Sequence, residues 1–102
     1  MATLLKVGEL EMDLIGRMVR REGKEIDLQP REFKLLEYLM RSAGRVCSRM
    51  MILEKVWDYD FDPGSNLVDV YIGRLRDKVD APGCQKLLHS VRGEGYVMKD
   101  SA

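Results

Sequence analysis

The chain has 102 residues, of which 45% are hydrophobic and 33% charged, and its seventeen basic side chains are balanced by seventeen acidic ones. That length suits one globular core and is too short for two, and the composition excludes a low-complexity or disordered chain. A net charge of zero counts against a strong nonspecific binder of polyanions.

No segment approaches the ~20 apolar residues of a membrane span, and MATLLKVGEL at the start has no basic and apolar signal-peptide pattern, so the expected location is cytoplasmic. Cys47 and Cys84 form no C-x-x-C pair and His89 is the lone histidine, so neither a disulfide framework nor a metal site is expected, and no cofactor is implied. The charge is unevenly spread. Residues 31–49 carry Arg31, Lys34, Arg41, Arg45 and Arg49 against Glu32 and Glu37, an excess of three positive charges. Residues 54–62 carry Glu54, Asp58, Asp60 and Asp62 against Lys55, an excess of three negative charges. The molecule is expected to have sides of different sign.

From about Leu4 to Leu28, short apolar runs are interrupted by Gly8, Gly16 and Gly23. The pattern predicts four short antiparallel strands, roughly LLKV, LEMD, RMVRR and EIDL, with Arg20 and Arg21 on a solvated face. Pro30 suits the first position of a helix, in which Phe33, Leu36, Leu39 and Met40 recur at helical spacing until Gly44. Gln29 is a weak cap for it, and Glu32 three residues on compensates in part. Ser48 is a better cap for a second short helix, with Met51, Ile52, Val56 and Trp57 as its buried stripe. The following DYDFDPGS reads as a loop, whose Tyr59 and Phe61 either pin it to the core or offer a docking site to a protein partner.

A third helix is predicted over about 66–79, with Asn66 as its cap and Asp69 in its first turn. Val68, Ile72, Leu75 and Val79 fall in a narrow arc and must face the core, which leaves a flank of Leu67, Tyr71 and Arg74 facing solvent. Such a flank suits DNA, because arginine bonds guanine O6 and N7 while tyrosine and leucine touch sugars or a thymine methyl. The helix is itself neutral, however, Arg74, Arg76 and Lys78 being offset by Asp69, Asp77 and Asp80, so a solvated amphipathic helix is an equal reading. After Pro82 and Gly83, KLLHSVR and GYVMK read as two strands joined by GEG, with Arg92 at the entry to the turn. A nucleotide-binding glycine loop would lead from a strand into a helix, and these glycines lead into a strand. No nucleophile, base or metal cluster supports an enzyme.

Three helices followed by a hairpin outline a winged helix-turn-helix. The segments PREFKLLEYLM (30–40), SRMMILEKVW (48–57), NLVDVYIGRLRDKV (66–79) and VRGEGY (91–96) closely resemble the C-terminal effector domain of OmpR/PhoB-type two-component response regulators. The resemblance covers almost the whole chain. It implies an α+β winged-helix domain over 1–102, with an N-terminal sheet at 4–28, a three-helix core at 30–80 and a wing hairpin at 86–99. It also implies sequence-specific binding of double-stranded DNA and no catalysis.

Residue by residue, the resemblance places Arg74, Tyr71, Val70 and Leu67 in the major groove and Arg92 in the minor groove. Arg76, Asn66, Arg49, Trp57 and Lys78 match positions near phosphates. The loop containing Asp58, Tyr59, Asp60, Phe61 and Asp62 matches a segment that meets RNA polymerase. An upstream receiver domain, the target of a sensor kinase, would be absent from this chain, Met1 beginning an excised fragment, and pairing of receivers would set two effector domains on tandem direct repeats. Two positions depart from the family pattern, Gly73 standing where relatives carry a basic residue and Gln29 where threonine is usual. The rival expectation is a winged-helix module that docks RNA polymerase or another domain without binding DNA.

Overall fold

In a computed structural model, which describes residues 3–100, the elements follow in the order β1 (Leu4–Val7), β2 (Leu10–Asp13), β3 (Met18–Arg21), β4 (Lys24–Ile26), α1 (Pro30–Arg41), α2 (Arg49–Trp57), α3 (Leu67–Val79), β5 (Leu88–Val91) and β6 (Gly95–Met98). Met1, the expected fragment start, lies outside the described residues. The first four strands form an antiparallel sheet in sequential order, and β5 and β6 form a separate antiparallel hairpin. Turn chemistry explains the sheet. Glu22 and Gly23 both take positive φ between β3 and β4, as a two-residue type I′ hairpin turn requires, and the Asp13 carboxylate accepts the amides of Ile15 and Gly16 between β2 and β3.

Strand alternation sends Leu10, Met12 and Val19 inward, where they join Phe33, Leu35, Leu36 and Leu39 of α1 in one core. Arg21 shares the parity of Val19 and is buried too, contrary to the solvated position expected from its charge. It survives burial because its guanidinium donates to the Val79 and Gln85 carbonyls and to the Asp80 carboxylate.

Each helix starts by a different device. Before α1 the Glu32 carboxylate accepts the Gln29 amide at 2.8 Å, so Glu32 makes the reciprocal bond of a capping box at a position whose own side chain is a weak cap. At α2 the Ser48 hydroxyl accepts the Met51 amide at 3.1 Å. Asn66 occupies the cap position of α3 without a side-chain cap bond; its carbonyl accepts the Val70 amide. The buried arc of α3 is the expected one, Val68, Ile72, Leu75 and Val79 all being inaccessible. In α2 the stripe differs, because Met51 is exposed and Leu53 is buried beside Ile52 and Val56. Asp58 ends α2 in the left-handed conformation, and the Tyr59 amide bonds the Leu53 carbonyl.

The hairpin is joined to the helical body along its return strand. Tyr96 and Cys47 exchange both backbone hydrogen bonds, at 2.8 and 3.0 Å, and the Gly44 amide donates to the Met98 carbonyl. Gly95 is required there. Its φ is +144°, and a Cβ would stand 2.0 Å from the Cys47 carbonyl oxygen.

Candidate nucleic-acid interface

Val70 and Arg74, one turn apart on α3, point away from the buried arc and are exposed. Leu67 and Tyr71, expected to face solvent, are half-buried instead. Tyr71 meets Trp57 of α2 edge to face, with ring centroids 5.1 Å apart. Arg74 lies over the Tyr71 ring, its guanidinium carbon 5.0 Å from the centroid, and Arg31 of α1 lies 5.5 Å from the Trp57 centroid while donating to the Val56 carbonyl. The result is a row of cation, ring, ring and cation running from α1 to the exposed face of α3. Contacts of this kind restrict Arg74 while leaving its hydrogen-bond donors free. Arg31 was not among the expected site residues; its spacing to Trp57 spans two helices and leaves no local signal.

Several cations expected near phosphates have partners inside the molecule. Lys78 donates at 2.6 Å to Glu32, a carboxylate that is 1% exposed. Burial pushes the Glu32 carboxyl up, but the bonds from Lys78 and the Gln29 amide outweigh this and hold it below its ordinary value. Arg49 donates to the Asp62 carboxylate and the Ser65 carbonyl, tying the start of α2 to the loop before α3. Asp62 also accepts the Gly64 amide, and these bonds depress its pKa. Arg76 donates to the Leu88 carbonyl and the Ser90 hydroxyl, so it joins α3 to β5. Asn66 is exposed and Trp57 half-buried in the ring pair.

Arg92 is exposed at the turn between β5 and β6, across an open cleft from α2 and α3 whose walls include Ser48, Arg49, Asp69 and Tyr96. On the loop after α2, Asp58 and Asp60 are exposed, Tyr59 packs against the core, and the exposed Phe61 stacks on Tyr59 at 5.2 Å and 17°. Tyr59 therefore pins the loop to the core, while Phe61 is left facing solvent. Among the described residues no group of three or more histidine, cysteine or acidic side chains is arranged to hold a metal, and no helix is long and apolar enough to cross a membrane.

Residues 23–98 match the family model described as "Transcriptional regulatory protein, C terminal". The chain belongs to this OmpR/PhoB-type family. Within it, the transcriptional regulatory protein PrrA of Mycobacterium tuberculosis is 48% identical over 95 residues, which is 93% of this chain and 41% of PrrA. PcoR of Escherichia coli is 41% identical over 98 residues, 96% of this chain and 43% of that protein. The chain thus spans about two fifths of the length of these OmpR/PhoB-type relatives. Among solved structures, the RstA DNA-binding domain of Klebsiella pneumoniae in complex with the RstA box superposes with a TM-score of 0.86 at 27% identity, covering 96% of this chain and 98% of that one. The DNA-binding domain of CpxR from E. coli gives 0.84 at 27% identity, covering 99% and 100%. The expected winged-helix architecture of an OmpR/PhoB-type effector domain, with four-stranded sheet, three helices and hairpin, is the one found.

Proposed function

We propose that this domain binds double-stranded DNA sequence-specifically to control transcription, as the DNA-binding half of a two-component response regulator. The observation that carries the reading is the exposed Val70–Arg74 face of α3 set beside a hairpin with an exposed Arg92, in a fold similar to a domain solved on its DNA box. Arg74 enters the major groove as a bidentate donor to guanine, with Val70, Tyr71 and Leu67 against sugars and methyl groups. Arg92 reaches the minor groove of the flanking duplex. Asn66, Arg49, Trp57, Arg76 and Lys78 border the phosphate path; Arg49, Arg76 and Lys78 reach it only by sharing or exchanging the partners they hold in the free protein.

The family supports a reading of the remaining partners. The Asp58–Asp62 loop, with Phe61 outward, suits contact with RNA polymerase. A receiver domain in the longer protein, phosphorylated by a sensor kinase, would pair two copies on tandem direct repeats in the cytoplasm. The domain itself performs no catalysis and needs no cofactor. Selection of bound duplexes from random-sequence DNA, followed by titration of the recovered site, tests the reading. Arg74→Ala is expected to weaken binding to the recovered site by about 1–3 kcal/mol and to relax its base preference. Equal loss on recovered and scrambled duplexes would remove Arg74 from base readout.

A further inference from the structure

Tyr96 holds three parts of the molecule at once. Its backbone pairs with Cys47 just before α2, its hydroxyl donates to the Asp69 carboxylate in the first turn of α3, and its ring lies under Arg76, whose guanidinium carbon is 5.7 Å from the centroid. Arg76 continues to β5 through the Leu88 carbonyl at 3.3 Å and the Ser90 hydroxyl. The hairpin is therefore attached to α3 at Asp69 and again at Arg76, about 10 Å apart along the helix axis. The bonds to Cys47 and Gly44 fix the return strand to the body, and the two separated attachments to α3 fix the angle of the hairpin against that helix. Asp69 needs such an explanation, because an exposed carboxylate beside the cleft opposes a polyanion on Coulomb grounds alone. The hydroxyl is also a dependable donor: burial and the Asp69 carboxylate push Tyr96 up to about 12.

We infer that Asp69, Tyr96 and Arg76 form a brace that sets the wing against α3, and so fixes where Arg92 stands when Arg74 is in the major groove. The inference rests on the DNA-binding reading and deepens it: sequence preference depends on positioning residues that need touch no base. An angle fixed in the free protein lets both arginines engage one register without further ordering.

The test uses the 102-residue chain, a duplex recovered by wild-type selection, and a scrambled duplex of the same length. Tyr96→Phe and Asp69→Ala are each expected to lower the ratio of recovered-site to scrambled affinity by about tenfold, and the double variant to lower it no further. Asp69→Asn, which keeps an oxygen acceptor, is expected to retain the ratio. Tighter binding of Asp69→Ala to both duplexes with an unchanged ratio would overturn the brace, leaving Asp69 as a repelling charge. Equal weakening of both duplexes by Tyr96→Phe, additive with Asp69→Ala, would overturn it in favour of a direct phosphate contact. A wild-type protein that does not distinguish the duplexes would instead remove the DNA-binding reading itself. Melting of each variant, read by circular dichroism, keeps loss of fold separate from loss of preference.

Discussion

Arg21 of β3 and Asp80 at the end of α3 form an ion pair at 2.9 Å with both side chains almost fully buried. Asp80 also accepts the Leu87 and Leu88 amides, and Arg21 also donates to the Val79 and Gln85 carbonyls. One pair therefore links the N-terminal sheet, the end of the third helix and the start of the wing. Arg21→Ala is expected to cost roughly 3 kcal/mol or more, because it strands a buried carboxylate. The Arg21 Nε has no hydrogen-bond partner, which moderates the loss. Urea denaturation beside Arg20→Ala, an exposed neighbour, checks this; equal small effects would mean the pair is open to water.

Glu32 gives the fold an acid-sensitive point. Its folded pKa is lowered, so the unfolded chain takes up a proton first and stability is lost as pH falls through the folded value, below about 4.5. At neutral pH Glu32→Gln is expected to cost about 1 kcal/mol, since the Gln29 amide keeps an acceptor while the half-exposed Lys78 is free to hydrate. The difference between wild type and variant should shrink as pH drops. Thermal melts between neutral pH and pH 3 measure it, and a constant difference would place the effect in packing alone.

Two glycines should respond in opposite directions to alanine. Gly95→Ala drives a methyl into the Cys47 carbonyl at an unfavourable φ, with an expected loss of about 3 kcal/mol or more. Gly73 lies inside α3 at ordinary helical φ, and a Cβ there meets nothing within 4 Å. Gly73→Ala should raise stability by up to about 1 kcal/mol. Similar midpoints for the two variants in one denaturant series would contradict both statements.

Arg92→Ala is expected to leave stability near wild type, its side chain being exposed at a turn, and to weaken DNA binding. The slope of log affinity against log salt should become shallower by about one unit. An unaltered slope would place Arg92 outside the field of the phosphates.

What the sequence reveals here is local. Tight turns, the Ser48 cap and the Val68–Val79 arc are readable because each depends on residues within one turn or one hairpin. The charge of Arg21 points to solvent, but its parity with Val19 in a period of two sends it inward. Its partner Asp80 lies 59 residues away, which no local pattern reveals. The exposure of Met51 and the burial of Leu53 escape the pattern because α2 has only nine residues, too few for a period of 3.6 to define one face. The site divides the same way: exposure of Val70 and Arg74 follows from the helical arc, while the partners of Arg49, Arg76 and Lys78 come from other elements.

Gly93 and Gly95 stand two residues apart in one turn, yet nothing lies within 4 Å of where a Cβ would be on Gly93, while Gly95 is pressed against Cys47. The Glu94 amide closes the turn on the Val91 carbonyl without help from the body. Arg92 and Glu94 are accordingly interchangeable in size and charge, while Gly93, at a φ of +76°, is held to glycine by its backbone and Gly95 by its neighbour. Exchanging the residues at 92 and 94 between paralogues that keep the glycine between them should change what the tip presents while leaving the folding energetics of the recipient intact, which makes the tip a natural unit of divergence among regulators that share this scaffold.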